Sequence, residues 1–154
     1  FTPKSNSKLK SGQFWAIKLR DGFFACGIVL DVPTDKKEHG TRSLYVGLLN
    51  WKGEIKPTVE SLESTHLEIL KQGYAHVKTI SVQEEEILGI IDLEKNNLSA
   101  DMVVDTQNYL INSYVLKGFR TIRKSTKQDH EVLNVKSTWG YEIIIGFANN
   151  LLAD

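Results

Sequence analysis

The feature that most constrains this chain is the pair Asp21-Gly22, set between two almost wholly apolar runs. Phe14, Trp15, Ala16, Ile17 and Leu19 precede it, and Phe23, Phe24, Ala25, Cys26, Gly27, Ile28, Val29 and Leu30 follow it. A glycine there accepts the positive φ of a tight turn, and Asp-Gly between apolar runs is the strongest short-range signal for an antiparallel hairpin. Neither run alternates with polar residues. Such strands are buried on both faces, as in a small barrel or a sheet covered by helices. Gly27, inside the second run, marks a bulge or bend.

Downstream signals are shorter. Residues 31–40 read as a loop around Pro33, 44–49 as a third strand, 50–53 as a turn, and 54–59 as a short extended piece that Pro57 keeps out of a sheet centre. Residues 59–65 stay open between a helical turn and a loop. A strand starts at 67–70, and 74–82 alternates, with Tyr74, His76, Lys78 and Ile80 opposite Ala75, Val77, Thr79 and Ser81. Ser81 and Glu84 have capping-box spacing. Ile87, Leu88, Ile90, Ile91 and Leu93 around Gly89 read as another buried strand, 93–101 as a loop, and 105–114 as a short strand or edge segment. Residues 114–122 read as a strand broken at Gly118, and 125–131 as a polar loop. Ser137 and Thr138 then offer N-caps to a final helix carrying Tyr141, Ile144, Ile145, Ala148, Leu151 and Leu152 at helical spacing, with Ile143 and Phe147 widening the stripe. The expectation is an α+β fold: a strongly bent, mostly antiparallel sheet or partial barrel with a C-terminal helix. No repeat or linker divides the chain, so one domain spans residues 1–154.

At 154 residues the chain can bury roughly 70% of its unfolded surface, so its core needs neither a disulfide nor a metal. Its only cysteine, Cys26, sits mid-strand, which suits a reducing compartment and an inert core thiol. The polar, basic start from Phe1 to Lys10 lacks the apolar centre of a secretory leader, and no run is long enough to span a membrane. These features point to the cytoplasm.

No catalytic or metal signature stands out. His39, His66, His76 and His130 show no i, i+4 pairing, one cysteine cannot build a thiolate zinc site, and no phosphate loop or nucleophile elbow occurs. The expectation is a protein that is not an enzyme and takes no cofactor. Charge is the stronger clue. Net charge is zero, yet residues 1–56 hold ten Lys/Arg and five Asp/Glu, 57–109 three and ten, and 110–154 six and four. An acidic middle either solvates an exposed face or meets a basic partner. The candidate partner-binding residues are Glu84, Glu85, Glu86, Asp92, Glu94, Asp101 and Asp105. Trp51 joins them, because an aromatic at a polar turn suggests an exposed anchor. Asp92 also reads as a turn or capping residue at a strand end. An alternative is a barrel-like nucleic-acid or peptide reader using Lys18, Arg20 and Trp51.

Several segments, taken in order, resemble a known family. Gly12-Gln13-Phe14-Trp15-Ala16-Ile17-Lys18-Leu19, the Asp21-Gly22 turn and Gly27-Ile28-Val29-Leu30 resemble the opening of immunity family twenty-six of bacterial polymorphic-toxin systems. Ile87-Leu88-Gly89-Ile90-Ile91 is similar to that family's short Ile-Ile-Gly strand, although Glu85 and Glu86 stand where a tryptophan often occurs. Lys117-Gly118-Phe119 and Trp139-Gly140-Tyr141 are similar as well. The resemblance implies an immunity protein that neutralises a cognate toxin by stoichiometric binding, and it implies no catalytic residues. Many such toxins act on nucleic acid through basic clefts, which an acidic surface would complement.

Overall fold

The computed structural model describes residues 1–108 and 112–154. The hairpin forms as expected. β1 (Gln13–Lys18) pairs antiparallel with β2 (Phe24–Asp31), and Gly22 has φ 87°. The connection is wider than a two-residue turn: Leu19 N–H donates to Phe23 O and Gly22 N–H to Leu19 O. Both strands are buried on both faces.

β3 (Ser43–Gly53) lies beside β2, β4 (Ile69–His76) beside β3, and β5 (Ile87–Ile90) beside β1. The order β4-β3-β2-β1-β5 is an open antiparallel sheet that does not close into a barrel. A second sheet, β6-β7-β8, comprises β6 (Met102–Val104), β7 (Tyr114–Lys117) and β8 (Arg120–Lys124). Residues 134–139 join the two sheets: Val135 bridges to Val104, and Thr138 bridges to Tyr74. Short helices α1 (Lys36–His39), α2 (Val59–Glu63), α3 (Lys78–Ser81) and α4 (Lys127–Val132) and the longer α5 (Ile143–Leu152) complete an α+β fold.

Strand alternation makes two cores. One face of the five-stranded sheet presents Trp15, Ile17, Ala25, Val29, Leu44, Val46 and Leu48, which pack with Ile144 and Ala148 of α5. The other presents Phe14, Cys26, Ile28, Leu30, Tyr45, Leu49 and Trp51, closed by Leu62 of α2 and by Leu67, Ile91 and Leu98. Gly27 does mark an irregularity, between Ala25 and Gly27 in the β2–β3 register, and it leaves room for the Trp15 ring: an added Cβ would lie 2.3 Å from it.

Several local expectations fail for tertiary reasons. Residues 50–53 are not a turn. β3 runs on through them because it pairs with the whole of β2, and Trp51 is buried rather than exposed. Residues 59–65 resolve into α2, capped by a Thr58–Ser61 box. The alternating stretch 74–82 leaves the strand after His76. Val77 turns helical, and Val77, Thr79 and Ile80 are buried by α3 spacing instead of strand alternation. Ser81 therefore ends a helix, and Glu84 takes φ 62° in the following turn instead of completing a capping box. β5 is an edge strand with Ile90 exposed, not a strand buried on both faces. Residues 125–131 are no loop: Thr126 and Asp129 form a reciprocal capping box that starts α4. Ser137 and Thr138 do not cap the last helix, because they are used on the β4 edge, with Tyr74 N–H donating to Ser137 O. The expected segment 105–114 includes residues 109–111, which lie outside the described ones.

Candidate functional site

Two surfaces concentrate chemistry. The first carries the acidic segment. Glu84, Glu86, Asp92, Glu94 and Asp101 are exposed, as the sequence suggests. Glu85 is not: it is 2% exposed, with Lys56 Nζ 2.8 Å from Oε1 and Lys18 Nζ 3.7 Å from Oε2. The sequence gives no sign of this pairing, because the three residues lie on separate elements. Asp105 is half-buried and spends Oδ1 on Ser113 Oγ (2.9 Å) and Tyr114 N–H (3.0 Å). Asp92 also serves locally, accepting from Lys95 N–H at 3.0 Å. Folding adds other acids to the same side. Glu60 and Glu63 lie on α2, and Glu68 adjoins buried Leu67. Glu68 and Asp101 share a depression of about 390 Å³ with Asn97 and Ser99. The segments bearing Glu60, Glu63, Glu68, Asp92 and Glu94 all anchor apolar neighbours in the Phe14–Trp51 core, so these exposed carboxylates are carried by segments that cover the same face of the sheet, with Lys117 and Arg120 beside Leu93 and Leu98.

The second surface is a cleft of about 600 Å³ between the β4 edge and the small sheet. Its walls include Arg42, His76, Lys136, Tyr74, Phe119 and Trp139. The Lys117-Gly118-Phe119 turn forms one rim. Phe119 N–H donates to Asp31 Oδ2 at 2.8 Å, and the Tyr74 hydroxyl donates to Gly118 O. Edge-on aromatic contacts run from Tyr45 to Tyr74 (4.6 Å between centroids), from Tyr74 to Phe119 (5.4 Å) and from Phe119 to His39 (5.0 Å). Burial pushes the Tyr74 hydroxyl up to about 12, so it stays a neutral donor. Burial first, then the charges of Arg42 and Lys78, hold His76 below its ordinary value. Its Nδ1 accepts from Lys78 N–H at 3.0 Å, so the neutral ring carries its proton on Nε2. No sequence signal marks this cleft, whose walls come from five separated stretches.

A third cluster brings two hydroxyls to one imidazole. Ser125 Oγ lies 2.9 Å and Ser113 Oγ 3.2 Å from His130 Nε2. Ser125 and His130 have the spacing of a hydroxyl and its base. However, the two hydroxyls share one nitrogen, and Asp105 Oδ1 is spent on Ser113 and Tyr114. The arrangement ties the ends of β6 and β7 to α4, and Arg123 on Asp129 ties β8 to the same helix. Among the described residues no group of three or more His, Cys, Asp or Glu could hold a metal ion. Cys26 is fully buried, which raises its thiol far above the ordinary range. The reader surface of Lys18, Arg20 and Trp51 is not assembled: Trp51 is buried, and Lys18 Nζ donates to Gln83 O at 3.1 Å.

The motifs that carry the family resemblance occupy structural positions, in the β1–β2 hairpin, on the edge strand over Phe14, at the docked Gly118 tip, and around Trp139. No helix among the described residues is long and apolar enough to cross a membrane. No family model, no curated protein and no solved structure matches the chain.

Proposed function

We propose that this chain is an immunity protein that binds a cognate bacterial toxin domain in the cytoplasm and blocks it stoichiometrically, with no chemistry or cofactor of its own. The observation that carries the reading is that the exposed carboxylates of the acidic segment and of α2 are borne by segments covering the same face of the main sheet. Charge spread along a sequence need not gather in space, but shared anchoring of these segments in one core and the common depression of Glu68 and Asp101 support a joint acidic face here. Such a surface attracts and orients a basic partner before contact. A toxin that grips nucleic acid has a cleft of the complementary sign.

The test pairs the purified chain with the toxin domain encoded beside its gene. Reversing Glu60, Asp92 and Glu94 to Lys slows association at low salt by about tenfold or more. It also flattens the salt dependence, while the chain's melting temperature is kept. Unchanged association after reversal removes the acidic face from the contact. Failure of the native chain to protect cells from that toxin removes the toxin reading itself. The aromatic cleft favours a second reading, a peptide-binding module, because a preformed groove with a few convergent polar groups suits a short segment. Trp139 lines that groove, so changes in its fluorescence on adding partner-derived peptides would report binding there.

A further inference from the structure

The cleft between the β4 edge and the small sheet gathers positive side chains that the fold does not pair. Arg42 and Lys136 line it and are exposed, and among the described residues neither comes within ion-pair distance of a carboxylate. Arg42 directly precedes Ser43, whose strand partner is His76, and its charge acts on the His76 ring. Lys78 N–H takes the His76 Nδ1, which leaves the Nε2–H without an acceptor among the described residues. Tyr74 lies on the same side of β4 as His76, about 7 Å along the strand. The Lys136 ammonium stands 5.8 Å from the Tyr74 ring centroid. Arg42, His76 and Lys136 therefore form a row of unused donors at the end of β4. Apolar surface adjoins the row. Phe119 packs edge-on against Tyr74, and Trp139 crosses Gly73, where an added Cβ would lie 2.5 Å from the indole.

We infer that this cleft binds the free C-terminal end of a peptide chain, with the terminal carboxylate on Arg42 and His76 and a large apolar last side chain against Tyr74, Phe119 and Trp139. The inference rests on the reading of this cleft as a peptide groove and is independent of the acidic face. A guanidinium holds a carboxylate through two parallel charge-assisted hydrogen bonds, and a neutral imidazole adds a donor without adding charge. The cleft also holds two acids. Glu38 is 68% exposed and lies 3.6 Å from His39, and Asp105 Oδ1 accepts from Ser113 and from Tyr114 N–H. Their charges offset those of Arg42 and Lys136 in sum, so the site suits a single negative charge better than the double charge of a phosphate. A volume of about 600 Å³ is that of a site for a drug-sized ligand, more room than a lone aromatic acid fills. Thr121 and Thr138 line the same space and offer hydroxyls to the amides of the residues before the terminus.

Isothermal titration calorimetry of the full chain with the tripeptide N-acetyl-Ala-Ala-Phe tests this. The free acid should bind with a Kd below about 1 mM. Its C-terminal amide should bind about tenfold or more weakly, because it makes no charge-assisted pair with Arg42. Arg42→Gln should weaken the free acid by about tenfold and leave the amide unchanged. Lys136→Gln, acting only through its field, should weaken the acid by about two- to threefold. Arg120→Gln, outside the cleft, should change neither. Equal affinity for acid and amide, or an Arg42→Gln variant that binds the acid as the native chain does, overturns the carboxylate assignment and leaves a peptide groove. Phenylpropionate bound as tightly as the tripeptide overturns the peptide terminus in favour of a small aromatic acid. No binding of any of these probes up to about 1 mM overturns the inference together with the peptide reading, and protection against the toxin then still decides the function proposed first.

Discussion

The two faces of the five-stranded sheet are closed in opposite ways. One is covered by α5 lying across β1, β2 and β3, which buries Ile144 and Ala148 in one apolar cluster with Trp15, Ile17, Val29 and Leu44. The other is covered piecemeal, by a five-residue helix and by the irregular segments around Leu67 and Leu98, each anchored by one or two side chains. A single helix commits one stripe inward, and here its outer side carries no charge. Short segments that commit only a single anchor each leave their remaining residues free to carry charge. The contrast teaches that the way a face is covered decides which kind of surface it presents to a partner.

Trp15 is the largest fully buried side chain on the α5 side. Trp15→Ala empties the α5-side core where Gly27 makes room for the ring, and should cost about 3–5 kcal/mol in denaturant unfolding. A cost under about 1 kcal/mol would mean that α5 does not close a tightly packed face. Leu62→Ala, on the acidic side, should cost less, about 2–3 kcal/mol, because a five-residue helix can open locally. Hydrogen exchange should then speed up at residues 59–63 and leave α5 protected. Equal loosening of both faces would erase the distinction. Glu85→Ala removes a buried acceptor from Lys56 and a counter-charge from Lys18, whose half-exposed amines can return to water, so about 1–2 kcal/mol is expected.

Acid should act on the pins outside both cores. Lys52 foremost, then the backbone N–H groups of Asp154 and Phe23, hold the Asp21 carboxyl down at about 2, and Arg123 holds Asp129 well below the usual range. Both groups bind protons more weakly folded than unfolded. Their stabilisation is therefore complete above the ordinary carboxylate value of 3.8 and is lost as pH falls through it toward about 2. Asp21→Asn and Asp129→Asn should flatten that acid limb in a pH series of melting temperatures; an unchanged limb would show that other carboxylates set it. The smallest effect is expected at Ile143→Ser on the outer face of α5, within about 0.5 kcal/mol. A larger loss would show that this side chain is already packed within the chain.

Much of the main sheet is legible in the sequence because its signals are local. Asp21-Gly22 between apolar runs requires the β1–β2 hairpin, and runs that are apolar on both faces require two covering layers. Tyr141 to Leu152 announces the final helix by spacing alone, although its start comes later than the hydroxyl residues suggest. The single cysteine, placed mid-strand, is a core residue. The errors share one cause. Residues 50–53, 74–82 and 125–131 carry patterns compatible with two local structures, and only pairing with β2, burial of Val77 and Ile80, and reciprocal capping by Thr126 and Asp129 choose between them.

The candidate surfaces divide along the same line. The sequence by itself determined that the middle of the chain is acidic and that the last helix is uncharged, since composition does not depend on the fold. Only the tertiary structure decided that Glu85 is buried between two lysines while its neighbours face water, and that Trp51 belongs to the core. It also decided that Arg42, His76, Lys136 and Trp139 meet around one cleft. Burial and convergence are properties of pairs distant along the chain, and they follow from which strands lie side by side.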